Sequence, residues 1–305
     1  MFSQSYDPLA RASDIARSRK QLFARKMADF IIKIFGLNRP GFLRTELIQK
    51  IEPVSSIPTD HGDMHCVTGH GRLLWRAETF YTEEPETIQW LHALNKNDIL
   101  WDVGANVGLY SIYAAFMRNC RVLSFEPEAM NYALLIRNIA LNNIQDRITA
   151  TNIPLTNEPG IGRFRVNAIT KGGAWNQFML NEKENPHLNT GADKTFIIQL
   201  QMGMSVDSLV EQFGFEYPTH MKIDVDGNEP EIIAGAKNTL KNQNLKSILI
   251  EHEKDNPDYR PVFETLKRSG FKSVSVGSTG ATLRRSHNRE DWPWRNIIWK
   301  RDKSG

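Results

Sequence analysis

The chain has 305 residues, 40% of them apolar and 24% charged, which is ordinary for a soluble globular protein and enough for one large domain with additions or two small ones. Its two cysteines, Cys66 and Cys120, cannot form a disulfide framework. No run approaches a membrane span and no signal peptide is visible, so a cytoplasmic protein is expected. The net charge of +3 is uneven: residues 1–50 hold ten Lys/Arg against four Asp/Glu, or +6, leaving −3 for the rest, which argues against nucleic acid as the main partner.

Residues 1–50 read as a basic helical segment. Between Lys20 and Phe35, apolar Leu22, Phe23, Met27, Phe30, Ile31, Ile34 and Phe35 recur at steps of three and four, with Arg25, Lys26 and Lys33 among the intervening positions. The pattern is read as a face docked on the domain or on a second copy in an oligomer, with contact to a membrane surface through residues 20–35 as the alternative. Residues 51–97 form an extension, with strand-like pieces at 64–67 and 72–75 and a helix at 84–94 that has Pro85 in its first turn.

The core is expected over 98–305. Strands at 98–103, 121–125 and 148–152 alternate with helices starting near 107–109 and at 130–141. Residues 160–204 break the alternation with Gly172-Gly173, Trp175, Asn185-Pro186 and Gly191, a length and composition that point to a cap or lid near the site. A short helix at 205–213 follows, then strands at 220–224, 247–251, 271–276 and 296–299, with helices at 230–240 and 261–269. The alternation predicts a doubly wound α/β parallel sheet with ligands at the carboxyl ends of its strands. The last two strands lack a helix between them, so one of them is expected to run antiparallel.

The first core strand ends in Asp102-Val-Gly-Ala-Asn-Val-Gly108, and the second in Phe125-Glu-Pro127, with Glu126 standing 22 positions after Gly104. The loop is not the dinucleotide G-x-G-x-x-G, because position 106 is Asn. It suits a compact amino-acid tail beside an adenosine, as in S-adenosylmethionine. Glu126 can accept hydrogen bonds from two ribose hydroxyls.

Asp102-Val-Gly-Ala-Asn-Val-Gly-Leu-Tyr-Ser111, Phe125-Glu-Pro127, Lys222-Ile-Asp-Val-Asp-Gly-Asn-Glu229, Gly235-Ala236 and Ile250-Glu251 together resemble the FkbM-type methyltransferases. The resemblance implies a Rossmann-like, seven-stranded class I methyltransferase sheet, mostly parallel with one antiparallel strand and helices on both faces. It implies S-adenosylmethionine as cofactor and O-methylation, often of sugars, polysaccharides or secondary metabolites. Carried over residue by residue, Asp102, Gly104, Asn106 and Gly108 would line the methionine end of the cofactor and Glu126 would hold the ribose. Pro127 and Asn152, at neighbouring strand ends, join the cofactor set. The chain departs from the family at Asp226, usually Glu, and at Asn228-Glu229-Pro230.

Asp224, Asp226, Glu229, Glu251, His252 and Glu253 fall at the ends of the strands at 220–224 and 247–251. Asp224 is the first candidate for base or acceptor anchor and His252 the second, with Glu251 beside them in the catalytic set. Asp226 and Glu229 suit capping of the next helix equally well. Glu86 and Thr87 either touch the methionine end or lie on a solvated helix surface. The carboxylates are oxygen ligands of the kind Mg²⁺ prefers, but nothing fixes an octahedral set and no metal is assigned. Trp175, Asn176, Gln177, Trp292 and Trp294 offer stacking and hydrogen bonds to a sugar, or simple packing. Asp255-Asn-Pro-Asp-Tyr259 superficially resembles a motif of nucleic-acid amino methyltransferases, but it follows the wrong strand and reads as a turn into a helix. The expected function is S-adenosylmethionine-dependent O-methyl transfer to a small-molecule, sugar or glycan hydroxyl. The alternatives are a nicotinamide-dependent reductase on a related sheet and a non-catalytic cofactor- or membrane-binding module.

Overall fold

The computed structural model of the protein describes residues 23, 26–36, 41–50, 52–166, 172–173, 176–180, 197–253, 256–274 and 294–302. Residues 26–34 are helical (α1), and α2 (Phe42–Lys50) follows. The expected docking of the α1 apolar face on the domain is not seen: Phe30 is 57% exposed and Ile34 59%.

β1 (Val54–Thr59) and β2 (Gly62–Val67) form an antiparallel hairpin. The piece at 72–75, expected as a strand, lies instead within α3 (Gly71–Glu78), where His70 Nδ1 accepts from the Arg72 N–H and caps the first turn. Its sequence Arg-Leu-Leu-Trp sets apolar residues side by side, without the alternation that a half-buried strand shows. Next come α4 (Phe80–Glu83) and α5 (Pro85–His92), with Pro85 in the first turn, where its missing N–H costs nothing.

The core runs β3 (Ile99–Val103), α6 (Leu109–Arg118), β4 (Arg121–Phe125), α7 (Ala129–Leu141) and β5 (Ile148–Thr151). The insertion then supplies β6 (Gly160–Val166), β7 (Gln177–Met179) and β8 (Ile197–Gly203), a three-stranded antiparallel sheet in the order β7-β6-β8. The core resumes with α8 (Val206–Glu211), β9 (His220–Ile223), α9 (Glu229–Ala234), β10 (Ser247–Glu253), α10 (Arg260–Arg268), β11 (Phe271–Val274) and β12 (Trp294–Arg301). The helix expected over 230–240 stops early. Gly235 lies against the Thr156 carbonyl, where a Cβ would come within 2.3 Å of the oxygen, and a separate 3₁₀ turn follows at Thr239–Lys241.

The seven-stranded sheet has the order β11-β12-β10-β9-β3-β4-β5. The described pairs are parallel except those of β12, which runs antiparallel to both β10 and β11, as the missing helix predicted. Neighbouring residues of β3 serve opposite layers. Leu100 packs with Leu91, Ile112 and Leu135 of α5, α6 and α7, and Trp101 with Leu209, Ile232 and Val262 of α8, α9 and α10. Met64 and Leu73 of the extension join the first of these clusters. The chain steps outward from β3 to β5 and returns to β9 on the other side of β3. The crevice at such a reversal, outside the carboxyl ends, is where open α/β sheets bind ligands.

Candidate active site

β3 ends in a turn of left-handed backbone, with φ of 83° at Gly104, 51° at Asn106 and 86° at Gly108. Gly104 is also required by its neighbour, because a Cβ there would lie 1.8 Å from the Asp224 carbonyl oxygen. The N–H groups of Gly104 and Ala105 donate to the Phe125 carbonyl at 3.0 and 2.9 Å, fixing the turn to the end of β4.

Glu126 is buried just past β4. Its Oε2 accepts from the Asn106 N–H at 2.7 Å and its Oε1 from the Glu128 N–H at 2.9 Å. Burial pushes its carboxyl up to about 8 against the pull of these bonds. An ionised carboxylate offers about four lone-pair sites, so capacity remains for a ribose diol. Asp102 is also buried. Its Oδ2 accepts from Ser111 Oγ at 2.5 Å, but its Oδ1 is buried without a hydrogen-bond partner. Such an oxygen is costly to leave unpaired, and a ligand ammonium would satisfy it. The orphaned oxygen, the left-handed turn and Glu126 together fit the amino-acid tail and ribose of S-adenosylmethionine.

Two cavities meet at Gly104. One, of about 310 Å³ including its open mouth, is a largely apolar slot lined by Phe125, Pro127, Ile153, Leu155, Phe178 and Val225. Asn152, expected among the cofactor residues, is exposed, and the residues that follow it line the slot. The other encloses about 700 Å³ including its open mouth, and is lined by Trp75, Arg76, Glu84, Tyr110, Lys222 and Asp224 among others.

A charged cluster floors the larger cavity. Lys222 Nζ lies 2.5 Å from Asp224 Oδ2 and 5.2 Å from the centroid of the Tyr110 ring. Burial works to discharge Lys222, but the carboxylates of Asp224, Asp102 and Glu84 hold its ammonium above the usual range. Burial likewise works to raise Asp224, and the charge and hydrogen bond of Lys222, with a hydrogen bond from Glu251, hold it below the carboxylate range. Glu251 is the partner that keeps the proton. Burial and the charges of Asp224 and Glu84 push it up to about 11, so at neutral pH it is a carboxylic acid donating to Asp224.

Glu84, the residue at the N-terminus of α5, faces this cluster. Its Oε2 accepts from Thr87 Oγ1 at 2.9 Å and Asn296 Nδ2 at 3.1 Å. Burial and the nearby Asp224 raise its carboxyl, with Lys222 opposing. Burial and the charges of Glu84 and Asp224 raise the Tyr110 hydroxyl well above its usual value, so it stays protonated and donates to Glu84. The sequence reading gives no site role to Glu84, nor to Tyr110 and Lys222, although the last two lie within the motif segments at 102–111 and 222–229. The expectation fell instead on Glu86 and Thr87, one turn along the same helix, and Thr87 serves Glu84 from a buried position.

Asp224 and Glu251 are brought together; His252 is not brought to them. The alternation of β10 turns it to the other face of the sheet, where Nδ1 donates to the Arg295 carbonyl at 2.8 Å. Its ring stacks edge-on against Tyr259 and Phe263, with centroids 5.8 and 5.3 Å away, and burial lowers its pKa. Glu229 is fully buried and caps the turn after β9, accepting from the Val225 and Gly227 N–H groups at 3.0 Å each and from the Tyr259 hydroxyl at 2.7 Å. Asp226, at φ 59°, lines the larger cavity. Glu253 accepts from Asn256 Nδ2 at 2.9 Å. Pro257–Tyr259 forms a 3₁₀ turn into α10. Among the described residues no three His, Cys, Asp or Glu side chains are grouped so as to hold a metal ion.

The inserted sheet is attached to the rims of these cavities. The Gly172 N–H donates to Asn131 Oδ1 at 2.8 Å, and the Gly173 carbonyl accepts from Asn106 Nδ2 at 2.9 Å and Asn131 Nδ2 at 3.1 Å. Asn228 Nδ2 donates to the Phe178 carbonyl at 2.7 Å, and Gln201 Nε2 to the Pro127 carbonyl at 2.6 Å. Asn176 lines the apolar slot and Gln177 opens β7. Trp175 and Trp292 lie outside the described residues, and Trp294 begins β12.

Comparison with known families adds the deciding observation: the methyltransferase FkbM domain matches residues 102–273, more than half of the chain. The protein belongs to the FkbM-type methyltransferase family. Two curated relatives are similar over part of their length. The hexuronic acid methyltransferase AglP of Haloferax volcanii is 25% identical over 196 residues, covering 64% of this chain and 74% of that one. The methyltransferase sdnD of Sordaria araneosa is 26% identical over 162 residues, covering 47% and 61%. Among solved structures, an FkbM methyltransferase from Methylobacillus flagellatus aligns with a TM-score of 0.42 and 14% identity over 75% of this chain. That match spans 53%, about half, of the crystallised chain. S-adenosylmethionine-dependent methyl transfer is the chemistry of FkbM-type enzymes, and membership sets the nicotinamide-dependent reductase aside.

Proposed function

We propose that the protein moves a methyl group from S-adenosylmethionine to a hydroxyl oxygen of a sugar or glycan acceptor bound in the larger cavity. The observation that carries this reading is the contact of Gly104 with Asp224, which joins the cofactor turn to the Lys222–Asp224 pair at the wall shared by both cavities. A sugar acceptor is supported by the lining, where the Trp75 indole offers a stacking face and Glu84, Asp224 and Asp226 offer acceptors for hydroxyl groups. One curated relative is named for a hexuronic acid.

S-adenosylmethionine, when bound, supplies an electrophilic methyl group on a sulfonium sulfur. In this reading Asp102 and the turn at Gly104, Asn106 and Gly108 hold its amino-acid end, Glu126 its ribose, and Pro127 with the apolar slot its base. Asp224 accepts a hydrogen bond from an acceptor hydroxyl beside the reacting one and so fixes the orientation of the sugar. It is a weak base, because Lys222 and Glu251 already stabilise its charge. Glu84 has the raised carboxyl that suits a proton acceptor, and takes the hydroxyl proton as the new C–O bond forms. Residues 98–305 serve as the methyltransferase core and 160–204 as its cap. Residues 51–97 are an extension whose α3 and α4 wall the acceptor cavity, and 1–50 a basic segment. The reaction is taken to be cytoplasmic, in keeping with two free, buried cysteines. No helix among the described residues is long and apolar enough to cross a membrane.

Calorimetric titration with S-adenosylhomocysteine beside NADH tests the cofactor, and mass spectrometry of sugars incubated with labelled S-adenosylmethionine tests the acceptor. Binding of the first ligand alone and a label on a sugar oxygen are expected. A label found on nitrogen or carbon would overturn the O-transfer.

A further inference from the structure

We propose that α1 lies in the headgroup plane of an anionic lipid bilayer and holds the enzyme against that surface. The inference is independent of the acceptor and of the proton relay. At 100° per residue, Phe23, Met27, Phe30, Ile31 and Ile34 fall on one side of the helix, Phe35 and Ile32 widen that apolar arc, and Lys26, Asp29 and Lys33 share the remaining narrow strip, with Lys26 bordering Phe30. Every described residue from 26 to 36 is exposed, and the apolar ones are bare: Phe23 is 68% exposed and Phe35 63%. A contiguous stripe of this kind is not left in water without a use.

Charge selects the occupant. Residues 1–50 carry +6, against −3 for the rest of the chain. A second α1 would meet the stripe but would set its own positive segment against the first. An anionic bilayer offers an apolar interior to the stripe and a negative surface to the lysines beside it, and that pairing of burial with attraction is how interfacial helices bind. With Lys26, Asp29 and Lys33 on its polar side, and no helix among the described residues long and apolar enough to span, α1 lies on a bilayer rather than through it.

The test is sedimentation of the full chain with vesicles of phosphatidylcholine alone and of phosphatidylcholine mixed with phosphatidylglycerol. Light scattering reports the oligomeric state of the same samples. The chain is expected to pellet with the anionic vesicles, to be released by salt, and to stay in solution with the neutral ones. Phe30→Glu with Ile34→Glu is expected to abolish pelleting while S-adenosylhomocysteine binding, which reports an intact fold, is unchanged. Three results would overturn the proposal: no pelleting of the parent chain, pelleting undiminished in the double variant, or an oligomer that the double variant dissolves in a chain that ignores vesicles.

Discussion

Gly104 and Asp224 touch through their main chains: the carbonyl oxygen of Asp224 occupies the place where any other residue at 104 would carry its Cβ, 1.8 Å away. The contact sets the spacing between the ends of β3 and β9 and makes one wall common to both cavities. Gly104→Ala must spread the two strand ends and hold an alanine at φ 83°. Overpacking and left-handed strain together are expected to cost about 2–4 kcal/mol. Urea unfolding should show that loss, and calorimetry a much weakened S-adenosylhomocysteine complex. Unchanged stability would mean that the contact relaxes freely.

Glu84→Gln keeps the size and the hydrogen bonds to Thr87 and Asn296 but removes the proton acceptor. Turnover is expected to fall by about 10²–10⁴ with cofactor affinity intact. Glu86→Gln, one step outside the cavity lining, should leave kcat near that of the parent. Steady-state kinetics of the two variants side by side decide the matter, and equal losses would remove Glu84 from the role proposed for it.

Lys222→Met leaves Asp224 and Asp102 in the interior without their cation. Breaking a buried pair from one side costs about 3–5 kcal/mol. The parent holds the Asp224 carboxyl below its ordinary value, so the stability drawn from the pair is present at neutral pH and is lost as pH falls through that lowered value. In the variant the same carboxyl titrates high, so the gap between variant and parent should narrow as the solution is acidified. Denaturant unfolding at pH 5 and pH 8 measures it.

Glu126 gives a pH dependence of the opposite sign. Its carboxyl is raised from 4.5 to about 8 in the free protein. Its contribution to stability is therefore complete below the unfolded value and is lost as pH rises through about 8. Ribose hydroxyls donate to the ionised form, so binding should expel a proton. S-adenosylhomocysteine affinity is expected to climb with pH by up to about tenfold per unit below that value and to level off above it. Glu126→Gln should flatten the curve and weaken binding throughout. Calorimetry in two buffers of different ionisation enthalpy counts the protons released.

The sheet was legible because its strands are short apolar runs closed by an acid or a glycine turn, as at Asp102-Val-Gly104 and Phe125-Glu126, and because period and length agree there. The extension was less legible. β1 carries Pro58 and, among the described residues, pairs with β2 alone, and Leu73-Leu74 in α3 has no period that separates helix from strand over four residues. At the site, Glu251 and His252 are neighbours on one strand, and two successive strand residues point to opposite faces; that rule alone allows only one of them to join Asp224. Glu84 had no such signal. It stands 140 positions before Asp224, at the end of a helix, and only the folded sheet brings the two acids to one cavity. Lys222 reads in sequence as the interior of a strand, and its ammonium is affordable there only because three carboxylates surround it.

Among the described residues, three core asparagines hold the cap by its main chain. Asn106 and Asn131 grip the Gly173 carbonyl, Asn131 also takes the Gly172 N–H, and Asn228 grips the Phe178 carbonyl; Gln201 reaches out with its side chain to the Pro127 carbonyl. At these points the core holds the path of the inserted backbone rather than particular side chains. Exposed cap side chains such as Ile161 and Leu200 can be exchanged without loosening its hold, whereas Phe164 and Phe178 are buried. The described cap residues that meet a cavity, Phe164, Asn176 and Phe178, line the slot proposed for the cofactor's base, so the larger cavity can change its lining without disturbing the cap.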